Sequence, residues 1–165
     1  MPLREVVHEK PTSKATVVGV LSDTHGLLRA QALDALAGAE LIIHAGDVGR
    51  PEIIAGLCAI APVFAVRGNV DIEGWADQLP LCRTVPAGAH RLHVLHEISA
   101  LSIDPVKAGV SAVIFGHSHK PSIDWREGVL YLNPGSAGPR RFALPICVAR
   151  VRICGNRIEP EIVRL

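Results

Sequence analysis

The chain has 165 residues, of which 48% are hydrophobic and 4% aromatic, and its 17 basic and 16 acidic side chains leave a formal charge of +1. These values predict one globular domain with an aliphatic core and exclude a disordered chain. The absence of a basic excess argues against a long nucleic acid as the main partner, because clustered lysine and arginine side chains hold such polyanions.

The N-terminal residues, 1–14, are polar and charged and lack the apolar core of a secretory signal, so we expect a flexible tail. The longest apolar run, 53–66, is shorter than the roughly 20 residues of a membrane span and contains Pro62. The cysteines form no Cys-x-x-Cys pair, and we expect reduced, buried side chains in a cytoplasmic protein. They are Cys58, Cys82, Cys147 and Cys154.

The first half of the chain alternates between strand-like and helix-like segments. Gly38 is placed to end the first helix, and Pro51 is placed in the first turn of the second. Such a β-α-β-α-β order predicts parallel strands with right-handed crossovers. The predicted strands are 16–21, 41–44 and 62–66, and the predicted helices are 27–36 and 51–60.

The second half is dominated by hairpin patterns, with a short helix predicted over 104–109 and a strand over 111–115. Residues 15–165 are therefore predicted to form a single α/β domain of two packed, mixed β-sheets flanked by helices. We expect one sheet to be partly parallel and the other mostly antiparallel. The predicted hairpins pair 83–86 with 90–95, 123–126 with 129–132, and 146–153 with 158–163.

Residue types that commonly bind metal ions follow four of the apolar, strand-like runs. In open α/β sheets, ligands bind beyond the carboxyl ends of the strands. Because residues i and i+2 of a strand point the same way, Asp23 and His25 are expected to face one metal, and His117 and His119 a common centre. Nitrogen and oxygen ligands gathered in this way suit a two-metal hydrolytic site. The patches are Asp23-Thr24-His25, Gly46-Asp47, Gly68-Asn69 and Gly116-His117-Ser118-His119.

The simpler alternative is that these are turn residues and hydrogen-bonded polar groups at strand ends. One patch alone would favour that interpretation, whereas the ordered set favours metal binding. His96 follows the predicted strand segment 92–95 and is added to the ligand set on weaker grounds. His44 lies in an apolar strand and is interpreted as a core or supporting group, and His93 is expected to face away from the site.

The ordered motifs resemble the calcineurin-like metallophosphoesterase superfamily, and within it the YfcE-type phosphodiesterases. The resemblance extends over most of the chain, from about residue 16 to 141, and implies a metallophosphoesterase-like α/β sandwich. The motifs that carry it are Ser22-Asp23-Thr24-His25-Gly26, His44-Ala45-Gly46-Asp47, Val66-Arg67-Gly68-Asn69-Val70-Asp71, Gly116-His117-Ser118-His119-Lys120-Pro121 and Asn133-Pro134-Gly135-Ser136.

The resemblance implies two divalent metal ions, with Asp47 bridging them and with Asp47, Asn69 and His117 as the catalytic residues. Mn²⁺ is the preferred metal, and Fe²⁺, Zn²⁺, Ni²⁺ and Mg²⁺ are alternatives. Asn133, Gly135 and Ser136 are expected beside the metals, and Arg67 and Arg140 are candidates for phosphate contacts. The implied ligands are Asp23, His25 and His119 for the first metal and Asn69, His96 and His117 for the second.

The implied function is a metal-dependent phosphoesterase, foremost a phosphodiesterase, in which a metal-bridging hydroxide hydrolyses small phosphate esters. The alternative is a metal-binding scaffold for protein interaction, as in the related retromer subunit. A homo-oligomer is left open. Two positions depart from larger relatives: Val70 replaces the histidine that protonates the leaving group, and Glu97 follows His96 where many relatives have glycine. Glu97 is interpreted as an auxiliary acid or a solvated side chain, and Asp71 as a turn residue.

Overall fold

The computed structural model describes residues 14–165, which form ten strands and two α-helices. Short 3-10 helices lie at Gly74–Gln78 and Ile98–Ala100. The predicted tail lies outside the described residues except for Lys14. The elements in chain order are β1 Thr16–Leu21, α1 Ala30–Leu36, β2 Leu41–His44, α2 Pro51–Cys58, β3 Val63–Ala65, β4 Cys82–Ala87, β5 His90–Leu95, β6 Ala112–Ile114, β7 Ser122–Arg126, β8 Val129–Asn133, β9 Cys147–Cys154 and β10 Arg157–Arg164.

The strands form two five-stranded sheets, in the orders β10-β9-β1-β2-β3 and β4-β5-β6-β8-β7. We call these the first and the second sheet. In the first, β1, β2 and β3 are parallel, as predicted. In the second, β5, β6 and β8 are also parallel, so this sheet is mixed and only its two outer pairings are antiparallel, as the hairpins predicted. The reason is that β6 lies between two hairpins and joins them by parallel pairing, which local turn signals do not reveal.

The two sheets pack face to face on an aliphatic core. Val18, Val20 and Ile43 of the first sheet meet Leu92, Ile114 and other aliphatic side chains of the second. Both helices cover the outer face of the first sheet, where Leu36 of α1 and Leu57 of α2 are fully buried. The outer face of the second sheet is covered instead by the connection between β5 and β6. This arrangement brings the carboxyl ends of β1, β2, β3, β5 and β6 to one edge of the sandwich.

Helix bounds are the main local differences from prediction. Helix α1 begins three residues late, and Gly38, with φ of 81°, follows its end as expected. The helix predicted over 104–109 is a set of turns, because Gly109, with φ of 67°, ends it after one turn. No helix in the described part of the chain is long and apolar enough to cross a membrane.

The cysteines form no disulfide among the described residues. The prediction that they are buried holds for Cys147 but is wrong for Cys58 and Cys82, which are exposed. Cys58 is the last residue of α2, and Cys82 begins the edge strand β4, so both lie where an element meets solvent.

Candidate metal centre

The predicted ligands lie in five loops that follow β1, β2, β3, β5 and β6. Backbone hydrogen bonds hold these loops together. The Asp23 N–H donates to the Gly46 carbonyl at 3.0 Å, and the His25 N–H donates to the Asp47 carbonyl at 2.9 Å. The two sheets are joined at the same edge, where the His117 N–H donates to Asp23 Oδ2 at 3.1 Å. The ligand positions are therefore set by contacts between loops far apart in the chain.

Left-handed backbone conformations are concentrated in these loops. Among the described residues, seven non-glycine residues have positive φ, and five of them are predicted ligands. Such conformations are uncommon and collect at functional sites, where the surrounding structure holds them. Asp23 and His25 do face one centre, as expected, but not through strand alternation, since both lie beyond β1. The five are Asp23 at 56°, His25 at 46°, Asp47 at 54°, His117 at 70° and His119 at 60°.

The first predicted group, Asp23, His25 and His119, comes together as a compact cluster. Asp23 Oδ1 lies 3.2 Å from His119 Nε2 and 3.8 Å from His25 Nε2. The two imidazole Nε2 atoms are 3.3 Å apart. One carboxylate oxygen and two imidazole nitrogens thus face a common point, as a divalent transition-metal ion requires.

The second predicted group, Asn69, His96 and His117, converges on the Asn69 amide oxygen. Asn69 Oδ1 lies 3.0 Å from His96 Nε2 and 3.1 Å from His117 Nδ1. His96 is buried, whereas the His117 side chain is 44% exposed, so this group opens to solvent on the His117 side. Solvent access at one ligand leaves room for a substrate.

Asp47 lies between the two groups. Its Oδ2 is 3.6 Å from His25 Nε2 and 3.2 Å from His96 Nε2. Burial opposes ionisation of this carboxyl, but His96 and the Val70 N–H outweigh it, so the pKa of Asp47 is lowered. Burial likewise opposes protonation of His96, but Asp47 and the Ala45 carbonyl raise the pKa of this imidazole above its usual value. An ionised carboxylate in this position suits a bridging ligand.

Two observations show that this donor set fits metal ions. The only buried side-chain nitrogen or oxygen atoms without a hydrogen-bond partner, within residues 14–165, are Asp23 Oδ1 and His119 Nδ1. A buried carboxylate oxygen without a partner is costly unless a cation lies beside it. Asp23 Oδ1 is also 3.9 Å from His96 Nε2, so it approaches both groups.

The tautomer of His96 gives the second observation. Its Nδ1 lies 2.7 Å from the Ala45 carbonyl and therefore donates to it. In a neutral ring, Nε2 then carries a lone pair, yet it faces the oxygen acceptors Asp47 Oδ2 and Asn69 Oδ1. A proton or a metal ion is needed at this point. A backbone carbonyl that orients an imidazole in this way is typical of metal-ligating histidines.

Asp71 ties the ligand loops together, a role that goes beyond the turn residue predicted from sequence. Its side chain is buried and accepts from the Val48 N–H at 3.1 Å, the Gly49 N–H at 2.9 Å and the Gly68 N–H at 2.9 Å. It thus connects the loop after β2 to the loop after β3. The signal available in the sequence was its place two residues after Asn69, but the three donors are known only from the fold.

Other polar groups support the ligand loops from behind. Ser22 Oγ donates to Asp23 Oδ2 at 2.6 Å, and Ser136 Oγ donates to the Asp23 carbonyl at 3.0 Å. Asn133 Nδ2 donates to the Gly116 carbonyl at 3.0 Å, which holds the loop of His117. These contacts place Asn133 and Ser136 beside the predicted ligands rather than among them.

The predicted phosphate contacts find no support in these positions. Arg67 donates to the Ala76 carbonyl at 3.0 Å and pairs with Asp77 at 3.0 Å, so its guanidinium is engaged in the protein. Arg140 is exposed. Burial lowers the pKa of His119 against the opposing charge of Asp23, and the charge of the neighbouring Arg141 adds to the lowering. Glu97 Oε1 lies 3.9 Å from His117 Nε2, at the open side of the centre.

His44 is fully buried and belongs to a hydrogen-bonded chain beneath the site. Its Nδ1 accepts from the Gly46 N–H at 3.2 Å, so its Nε2 donates to Thr24 Oγ1 at 2.9 Å. Thr24 in turn donates to the Val48 carbonyl at 2.9 Å. Burial, followed by the positive charge of His96, lowers the pKa of His44 to about 3. This is the supporting role predicted for His44.

The neutral state of His44 predicts a pH dependence of stability. Its folded pKa is depressed, so its contribution is present above the unfolded value of 6.5 and is lost as the pH falls. Between pH 6.5 and 5 the free energy of unfolding should fall by about 2 kcal/mol through this group, at about 1.36 kcal/mol per pH unit.

Urea unfolding of the metal-free protein tests this prediction. In this pH range the free energy of unfolding should change more steeply with pH in the wild type than in His44→Gln. The difference in slope should correspond to the uptake of about one proton on unfolding. Metal-free protein is used because protonation of the ligands would otherwise release the ions. Equal slopes for the two proteins would show that His44 is not the titrating group.

Comparison with known proteins assigns the chain to a protein superfamily. The family profile described as "Calcineurin-like phosphoesterase superfamily domain" matches residues 17–156. A protein from Methanothermobacter thermautotrophicus named "Probable metallophosphoesterase" is 34% identical over 160 residues, covering 90% of this chain and 92% of that protein. These matches confirm the superfamily predicted from the motifs.

Solved structures share the fold. An archaeal protein described as a novel phosphodiesterase has a TM-score of 0.77 at 21% identity, with 91% of this chain and 100% of that chain covered. The phosphoesterase Yfce from E. coli has a TM-score of 0.65 at 22% identity, with 90% and 98% covered. Vps29 from Chaetomium thermophilum has a TM-score of 0.73 at 18% identity, with 91% and 97% covered. At these identities the likeness establishes the two-sheet fold alone, in agreement with the prediction.

Proposed function

Because the chain belongs to the calcineurin-like phosphoesterase superfamily, we propose that it is a metal-dependent phosphoesterase that acts foremost on small phosphodiesters. The observation that carries this proposal is the position of Asp47 Oδ2 between the imidazoles of His25 and His96. Asp23, His25 and His119 would hold one divalent ion, Asn69, His96 and His117 a second, and Asp47 would bridge the two. The names of the archaeal phosphodiesterase and of Yfce support the same class of reaction.

Two bound divalent ions would supply a bridging hydroxide near neutral pH and positive charge for the phosphoryl oxygens. The protein side chains would hold the ions in position and set the charge of the centre. Asp47 and Asp23 provide two negative charges, and the neutral Asn69 leaves the centre more electrophilic than a third carboxylate would. His117 is partly exposed, so a phosphate group can reach it from solvent.

The leaving group receives no proton from a residue after Asn69, because Val70 stands there and is 40% exposed. Glu97, near His117, is the closest carboxyl outside the ligand set that the described contacts place at the open side. We therefore expect faster turnover of esters with good leaving groups, such as p-nitrophenol, than of alkyl esters.

The proposal is tested by stripping the protein of metal and assaying bis-p-nitrophenyl phosphate and p-nitrophenyl phosphate with and without added Mn²⁺. The expected result is manganese-dependent hydrolysis, faster on the diester. Repeating the assay with Fe²⁺, Zn²⁺, Ni²⁺ and Mg²⁺ identifies the preferred ion. If the metal-loaded protein hydrolyses neither ester, the proposed activity is wrong.

Absence of hydrolysis with metal bound would favour a metal-binding interaction scaffold. The fold shared with the Vps29 structures supports this alternative. The retained set of seven ligand-type residues favours catalysis, because a scaffold needs no exposed ligand such as His117. A cytoplasmic location and a homo-oligomer stay predictions.

A further inference from the structure

A pocket of about 220 Å³ opens beside the second ligand group. Asn69 and His96 line one side of it, so it is continuous with the candidate metal centre. Leu81, Leu95 and Ala100 also line the pocket and give it an apolar wall. A group that extends from a phosphate at Asn69 and His96 would enter this space directly.

The charges around the pocket disfavour a second anionic group. Arg67 lines it, but its guanidinium is engaged by the Ala76 carbonyl and by Asp77. Glu97, the acidic residue of the lining, is about half exposed and adds negative charge at the rim. An uncharged group therefore meets apolar surface without a buried or repelled charge.

Part of the apolar wall is open to solvent before a ligand binds. Leu95 is buried, whereas Leu81 is 72% exposed although it stands beside a metal-ligand loop. Covering such a surface with a ring gains hydrophobic free energy in proportion to the area removed from water. The pocket is smaller than the roughly 300–1,000 Å³ of sites for drug-sized ligands, so it suits a single ring or a short chain.

We propose that this pocket binds the organic group of the substrate and selects phosphate esters in which that group is uncharged and apolar or aromatic. The inference rests on the proposed function, because it takes the phosphate to lie at the metal centre. It goes beyond that function by naming the part of the substrate that is recognised and the residues that recognise it.

Phosphonate inhibitors test the inference, because each carries one organic group that cannot leave. The probes are phenylphosphonate and methylphosphonate, which share the phosphonate group and are compared at an alkaline pH where both are dianions. In the manganese-loaded wild type we expect phenylphosphonate to bind about tenfold more tightly, which corresponds to about 1.4 kcal/mol. Calorimetry measures both dissociation constants without any need for turnover.

Two variants change the pocket in different ways, one in polarity and one in volume. Leu81→Asn makes the wall polar, and Ala100→Phe fills the space; both residues are exposed, so the fold should tolerate either change. Each should reduce the phenyl preference to about twofold or less and leave methylphosphonate binding within about twofold of wild type. Val106→Asn is the matched control, since Val106 is 52% exposed and does not line the pocket.

The outcomes separate the two proposals. Equal binding of the two phosphonates by the wild type, or an unchanged preference in both variants, would overturn the pocket inference and leave the phosphoesterase function standing. Failure of both phosphonates to bind, together with no ester hydrolysis, would overturn the function and the inference that rests on it.

Discussion

Replacing Asp47 by asparagine is expected to lower kcat/KM for bis-p-nitrophenyl phosphate by about a thousandfold, the equivalent of about 4 kcal/mol of transition-state stabilisation. The reason is its place between the two ligand groups, 3.6 Å from His25 Nε2 and 3.2 Å from His96 Nε2. The amide removes one negative charge and turns a hydrogen-bond donor toward the metals. Its oxygen can still accept from the Val70 N–H, as Asp47 Oδ1 does at 3.0 Å, so the fold should persist.

Metal content distinguishes a bridging ligand from an ordinary one. Elemental analysis of Asp47→Asn should find fewer than two ions per chain, whereas His117→Asn should empty mainly one site. The control is Asp124→Asn, which neutralises an exposed carboxylate paired with Arg126 on β7 and should retain activity and metal. Two bound ions and full activity in Asp47→Asn would show that the bridging assignment is wrong.

Replacing Gly68 by alanine is expected to have the second largest effect, because a Cβ at this position would overlap the backbone nitrogen and Oδ1 of Asp47. The Asp47 Cα would lie only 2.8 Å from the new atom. We expect kcat/KM to fall by about a hundredfold through displacement of Asp47. The free energy of unfolding should fall by about 1–3 kcal/mol, as is typical of overpacking.

The matched control is Gly74→Ala, at the exposed start of the 3-10 helix Gly74–Gln78, where a Cβ meets no atom within 4 Å. Its stability should stay within about 0.5 kcal/mol of wild type, and its activity should be unchanged. Chemical denaturation and steady-state kinetics on both variants separate the steric effect at Asp47 from a general effect of replacing glycine. The explanation fails if Gly68→Ala behaves like Gly74→Ala.

Much of the local structure could be predicted from the sequence. The bounds of β1 and β2, the three hairpins and the parallel order of β1, β2 and β3 agree with the predictions. These features depend on hydrophobic period and turn residues within a few positions, which a single chain displays directly. The superfamily was also predictable, because its ligand motifs occur in a fixed order along the chain.

Features that depend on long-range contacts were predicted less well. The parallel pairings within the second sheet were not predicted, because β6 pairs in parallel with strands from two different hairpins. The predicted reason for the convergence of the ligands was wrong. Left-handed loop conformations, not strand alternation, direct the side chains of Asp23 and His25 toward the common centre. The local pattern of a strand end does not specify the loop conformation that follows, since neighbouring loops decide it.

Seven ligand-type residues at predicted strand ends, in the order of one superfamily, could be identified from the sequence alone. The distances between these side chains and the groups that surround them became known only from the fold. It showed Asp23 Oδ1 near three imidazoles, Arg67 engaged by Asp77, and an apolar pocket beside Asn69. The physical reason is that such contacts join residues far apart in the chain, and the packing of the two sheets sets their distances.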